Sequence, residues 1–241
     1  MHTPTTHMTR YRNIFIDLDD TIWDFTANSH VSLEIMYRDL NIARIYPDYK
    51  AFSTAYYAKN SELWALYHHG KIEKDFLIIE RYAHLLREVN YPDPDNSLAK
   101  QMNEYYLDTL ALQTQLVPHA IELLDYLTER GYKLYIISNG FIEVQHKKLQ
   151  SAGISHYFER VVLSDEIGIN KPDRRLFDYA LEVTDSQADN TLLIGDNYDA
   201  DILGAMHAGW GQIYFDRNHR GFTEQEPQYT VHNLKEVMEI L

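Results

Sequence analysis

Short all-apolar runs alternate with longer helical stripes along most of this chain, with one long interruption. Ile14-Phe15-Ile16, Leu134-Tyr135-Ile136-Ile137, Val161-Val162-Leu163, Leu192-Leu193-Ile194 and Ile213-Tyr214-Phe215 lack the polar alternation of half-exposed strands. Each therefore reads as a buried parallel strand. Between them, Ile121, Leu124 and Leu127 recur at helical spacing before Gly131, a predicted C-terminal cap. Leu176, Phe177, Ala180 and Leu181 predict a second helix, and Ile202, Ala205 and Met206 a third. Strand and helix alternating at this pitch predict an α/β fold with a doubly wound, mostly parallel sheet. Right-handed crossovers then place the strand ends Asp17, Ser138 and Asp196 along one edge.

The interruption runs over residues 25–114. It holds no strand-like run, but amphipathic segments such as Leu33, Met36 and Leu40, or Tyr106 and Leu110, broken at Tyr46-Pro47-Asp48, His69-Gly70 and Tyr91-Pro92-Asp93-Pro94. An inserted helical subdomain of about four or five helices is predicted, within a core made of residues 1–24 and 115–241. The connections near Trp23–Ala27 and Gln113–Pro118 are the expected hinges. Tyr37, Tyr56, Tyr57, Tyr67, Tyr82, Tyr105 and Tyr106 crowd the insert, and most are expected to pack helix against helix.

Composition changes the picture in three ways. A net charge of -14 excludes a general nucleic-acid surface, which needs a basic footprint, but leaves room for a small phosphorylated substrate met by a local cation. No cysteine is present, so disulfides and thiolate zinc sites are impossible and a reducing compartment is favoured. The stretch Met1 to Arg10 is polar and no run approaches the roughly 18 apolar residues of a membrane span, so the expected location is cytoplasmic.

The chemistry sits at the strand ends. Asp17-Leu18-Asp19-Asp20-Thr21 follows the first strand, and alternation along an extended backbone would turn Asp17 and Asp19 to one side and Asp20 to the other. Two carboxylates held that close repel unless a cation or a shared proton compensates. Ser138-Asn139-Gly140 follows the second run, Lys171-Pro172 precedes a helix expected near Asp173, and Gly195-Asp196-Asn197 follows Ile194, with Asp201 five residues beyond Asp196.

Four such motifs in this order closely resemble the haloacid dehalogenase-like (HAD) hydrolase superfamily, and the 25–114 insert resembles its type 1 helical cap. Within the insert, Asn60-Ser61-Glu62-Leu63-Trp64, Tyr67, Gly70-Lys71-Ile72, Leu77 and Arg81-Tyr82 are similar to the pyrimidine 5'-nucleotidase branch. The resemblance implies a Rossmann-like core and a Mg²⁺-dependent phosphomonoester hydrolase acting through an aspartyl phosphate, with a nucleoside monophosphate as substrate. A sugar-phosphate phosphatase or phosphomutase on the same core is the alternative. Dehalogenases of this core lack an acid at the position of Asp19, which disfavours that activity.

The resemblance assigns the residues as follows. Asp17 is the nucleophile, since a carboxylate attacking phosphorus divides hydrolysis into two easier displacements. Asp19 is the acid and base for the leaving alkoxide and the incoming water. The Asp17 and Asp196 side chains and the Asp19 carbonyl hold Mg²⁺, a hard cation suited to oxygen ligands. The Ser138 hydroxyl, the N–H groups of Asn139 and Gly140, and Lys171 receive the phosphoryl oxygens. Thr21 orients the first loop by a hydroxyl hydrogen bond, Asp201 holds a water on the ion, and Pro172 fits a first helical turn. Asp20 and Asp199 are expected to be bystanders, and the histidines show no metal-ligand spacing.

Overall fold

The computed structural model describes residues 10–241; the first nine positions of the predicted core, and with them most of the polar N-terminal stretch, lie outside the described residues. In chain order the elements are β1 (Asn13–Ile16), α1 (Phe25–Asp39), α2 (Tyr49–His68), α3 (Lys74–Glu88), α4 (Ser97–Ala111), α5 (Ala120–Glu129), β2 (Lys133–Ser138), α6 (Ile142–Ser151), β3 (Arg160–Leu163), α7 (Arg174–Thr184), β4 (Thr191–Gly195), α8 (Gly204–Ala208), β5 (Gly211–Phe215), β6 (Tyr229–Val231) and α9 (Leu234–Ile240). Contacts divide them into two units. One comprises the chain up to Asp24 with Leu116–Ile142 and Gly153–Leu241; the other comprises Phe25–Gln115 with Glu143–Ala152. Most of α6, which the sequence reading put with the core, groups with the helical insert.

The first unit is a six-stranded parallel sheet in the order β3-β2-β1-β4-β5-β6. The five apolar runs are its first five strands, and β1, β4 and β5 are buried along their whole length. Covered on both faces, a strand gains nothing from polar alternation, which is why these segments are continuously apolar. Helices α7 and α8 bring Leu176, Phe177, Ala180 and Ala205 against Phe15, Tyr135, Ile137 and Leu193. Phe15 stacks on Tyr135 at 4.8 Å between ring centroids. Strand order reverses between β1 and β4, which is where doubly wound sheets bind ligands.

Two local expectations are corrected. The buried stripe of α5 is Ala120, Leu123, Leu124 and Leu127, whereas Ile121 is 41% exposed. Pro172 is not in a first helical turn. Asp173 caps α7, accepting the Arg175 N–H at 2.9 Å, and this leaves Pro172 outside the helix.

The second unit holds α1 to α4, and two helix starts in it are capped by aspartates. Asp48 caps α2 through the N–H groups of Lys50 and Ala51, and Asp93 accepts those of Leu98 and Ala99 before α4. Tyr56, Tyr82 and Tyr106 are buried against one another. They enclose Arg81, whose guanidinium donates to the side-chain oxygens of Asn60 and Asn103 and lies over the Tyr82 and Tyr106 rings. No helix among the described residues is long and apolar enough to cross a membrane.

Candidate active site

Every predicted site residue lies in the sheet unit. β1 ends at Ile16, so strand alternation does not govern Asp17 and its successors. Asp17 is instead fixed by its N–H donating to the Ile194 carbonyl at 2.9 Å, and it is buried. The next residues fold into a tight loop. Ile22 and Trp23 both donate to the Leu18 carbonyl, and Asp20, at φ 60°, donates to the Trp23 carbonyl. That left-handed turn replaces the extended backbone assumed for Asp20, whose charge raises the Asp196 pKa. Asp19 is half-buried and close enough to raise the Asp17 pKa.

Lys171 is the hub of the site. Its side chain is 2% exposed, and Nζ lies 2.6 Å from Asp17 Oδ1, 2.6 Å from Asp201 Oδ1 and 2.8 Å from the Ile137 carbonyl oxygen. The contacts to Asp17 and the Ile137 carbonyl are hydrogen bonds, and that to Asp201 is an ion pair. The Ile137 carbonyl was not anticipated; no spacing signals it, since any strand end offers a carbonyl. Asp201 also accepts the Asn197 N–H at 3.0 Å through Oδ2, so both of its oxygens are engaged within the protein. It sits in a π-helical turn, Tyr198–Leu203, capped by the Asn197 side chain. Asp199, at the same turn, is exposed.

Ser138 and Asn139 are both buried at the end of β2. The Gly140 N–H, expected to face a phosphate, donates to Ser138 Oγ at 3.1 Å. The Asn139 carboxamide donates to the Lys171 carbonyl at 3.0 Å and accepts the Lys171 N–H at 2.7 Å. Thr21 is fully buried but its hydroxyl has no hydrogen-bond partner, so the loop-orienting bond expected of it is not made. An ion pair between Asp24 and Arg217, 3.0 Å long, anchors the end of this loop and was not foreseen.

Carboxylate oxygens of Asp17, Asp196 and Asp201 lie within 4.8 Å of one another. Asp17 is raised to about 7: burial is the largest cause, Lys171 opposes it, and Asp201 and Asp19 add to it. Burial, then Asp17 and Asp201, hold Asp196 well above the ordinary carboxylate range. Lys171 is raised above its ordinary value because Asp17 and Asp201 outweigh the burial that would lower it. One ammonium among these carboxylates leaves the cluster short of positive charge, and Asp196 forms no hydrogen bond or ion pair among the described residues. A compact set of hard oxygen donors in that condition fits Mg²⁺.

A family model of haloacid dehalogenase-like hydrolases matches residues 11–209. The chain belongs to the haloacid dehalogenase-like hydrolase family. It is 32% identical to the protein YfnB of Bacillus subtilis (strain 168) over 97% of each chain. It is 30% identical to the pyrimidine 5'-nucleotidase PynA of Streptococcus pneumoniae over 96% of this chain and 95% of that one, and 31% identical to the pyrimidine 5'-nucleotidase YjjG of Escherichia coli over 95% and 96%. A crystal structure of YfnB bound to magnesium superposes with a TM-score of 0.86 at 29% identity, covering 96% of this chain and 99% of that one.

Proposed function

We propose that this family member hydrolyses phosphomonoesters through an acyl phosphate on Asp17, and that nucleoside 5'-monophosphates are its preferred substrates. The observation that carries the chemistry is the buried Asp17–Lys171–Asp201 array beside Asp196. Its parts come from three separate stretches, and structure alone gives no reason to gather four charges at a largely buried point. The substrate class rests on the two pyrimidine 5'-nucleotidases that match nearly the whole chain.

Asp17 attacks phosphorus with the oxygen not committed to Lys171, and the ester oxygen departs. Asp19 protonates that oxygen and then takes a proton from the water that cleaves the acyl phosphate, returning Asp17 and releasing inorganic phosphate. Lys171 holds the nucleophile's carboxylate in place and offers positive charge to the incoming phosphoryl group. Ser138 contributes its hydroxyl to that group, and Asp201 orients Lys171. Mg²⁺, held by Asp17, Asp196 and the Asp19 carbonyl, would neutralise the charge between an anionic nucleophile and an anionic substrate. The insert at 25–114 is read as the cap that carries substrate preference, and the cytoplasm as the working compartment.

A panel of nucleoside monophosphates, sugar phosphates and phospho-acids, assayed with Mg²⁺ for released phosphate, tests this reading. Nucleoside monophosphates are expected to lead, with Asp17→Asn abolishing turnover and Asp19→Asn lowering kcat by about 10²–10⁴-fold. Full activity in Asp17→Asn would remove the nucleophile assignment. Isomerisation of a hexose 1-phosphate without phosphate release would turn the reading to a mutase.

A further inference from the structure

Asn139 directly follows the last residue of β2 and lies 32 residues before Lys171. Its carboxamide engages both polar groups of the Lys171 main chain: it donates to the carbonyl at 3.0 Å and accepts the N–H at 2.7 Å. We propose that the Asn139 side chain is a positioning residue that clamps the Lys171 backbone so that the ammonium lands between Asp17 and Asp201. The proposal rests on the hydrolase reading above and adds to it a role for this side chain.

A carboxamide carries a donor and an acceptor in one plane, so it can pair with a peptide as a neighbouring strand would. Aspartate keeps the acceptor and loses the donor, and alanine loses both. The clamp is buried: Asn139 is 8% exposed and Lys171 2%. No other described residue bonds to the Lys171 main chain, and the following Pro172 has no N–H with which to hold the segment. Lys171 is thus fixed twice, by the carboxamide at its backbone and by Asp17, Asp201 and the Ile137 carbonyl at its tip. A long flexible side chain is placed only as well as its Cα is, and misplacement by about 1 Å can cost about 10²-fold in rate.

If Asn139 acts through Lys171, its loss must matter only where the ammonium is present. The test is a double-mutant cycle of wild type, Asn139→Ala, Lys171→Ala and the double variant, with kcat and KM on p-nitrophenyl phosphate and Mg²⁺. A second readout is the Kd for inorganic phosphate by calorimetry in the same four proteins. Asn139→Ala is expected to lower kcat by about 10²-fold with a much smaller change in KM, and to weaken phosphate binding about 10-fold. In the Lys171→Ala background the same substitution should change either quantity by less than about 3-fold. An equal loss in both backgrounds, or an unchanged kcat in Asn139→Ala, overturns the proposal. If Asn139→Ala does not fold, Asn139→Asp runs the same cycle, and if Lys171→Ala turns over too slowly, the phosphate Kd decides. A wild type that releases phosphate from no monoester would refute the hydrolase reading, while the phosphate-binding cycle would still judge the clamp.

Discussion

Gly195 has no room for a side chain: a Cβ there would lie 2.4 Å from Asp201 Oδ2 and 2.6 Å from Asp201 Cβ. Asp201 cannot retreat and still reach both the Asn197 N–H and Lys171. Gly195→Ala is therefore expected to destabilise the fold by about 1–3 kcal/mol and to lower kcat/KM by about 10²-fold. Thermal melts and steady-state kinetics on the purified variant check the two halves. Asp17 yields a prediction with a definite sign. Its folded pKa is about 7 against an ordinary 3.8, so between those values the folded chain holds a proton that the unfolded chain has released. Stability from this group is complete below about pH 4 and is lost as pH rises towards about 7. In chelator, Asp17→Asn should gain stability relative to wild type as pH rises across that window; a gap that moved the other way in Tm would contradict the assignment. The positions of Asp17 and Asp196 were legible because each follows an apolar strand run, whereas Lys171, in a loop before α7, stood out only through the family resemblance. The backbone at Asp20 was not legible, because a left-handed turn, invisible in an apolar pattern, replaces the extended strand that alternation assumes.

At the scale of elements, α5 shows how a correct helix can carry a wrong face. Spacing of three residues at about 100° per residue drifts by about 60° at each step, so Ile121, Leu124 and Leu127 cannot all share one stripe. Taking Ala120 and Leu123 with Leu124 and Leu127 recentres the stripe, and these four are the buried residues. Leu124→Ala should cost about 2–5 kcal/mol in denaturant unfolding, and Ile121→Ala less than about 0.5 kcal/mol. Equal costs would mean that both side chains are packed. β6 was missed for a related reason: it has three residues, two of them exposed, and so no apolar run to read. The Asn139 clamp repeats in the helical unit, where the Asn28 carboxamide donates to the Gln115 carbonyl at 2.8 Å and accepts its N–H at 3.2 Å. Both pairings join residues far apart in sequence and leave no mark on local periodicity, which is why neither was foreseen.

Across the whole chain, non-local order decides where charge accumulates. Apolar runs named five strands and the crossover rule put their ends on one edge. The observed order adds that β1 has β2 and β4 as its neighbours, so Asp17 has Ser138 on one side and Asp196 on the other. A chain of net charge -14 thereby concentrates Asp17, Asp19, Asp20, Asp196 and Asp201 around a single buried lysine. Repulsion of that kind arises only in the folded state, because the unfolded chain scatters the same carboxylates. A divalent cation should therefore bind the native protein and hardly at all the unfolded one, raising stability by about 2.7 kcal/mol at 100 times its Kd. Asp196→Asn removes a carboxylate with no hydrogen bond or ion pair among the described residues, so it should abolish most of the Mg²⁺-dependent rise in Tm while leaving the metal-free melt unchanged or slightly higher. Asp20→Asn, which removes a charge that raises the Asp196 pKa, should reduce the rise without abolishing it. Calorimetric scans with chelator and across a Mg²⁺ series measure all three proteins. A full Mg²⁺ response in Asp196→Asn would place the ion elsewhere and leave the crowding of acids at the β1–β4 junction without its compensating charge.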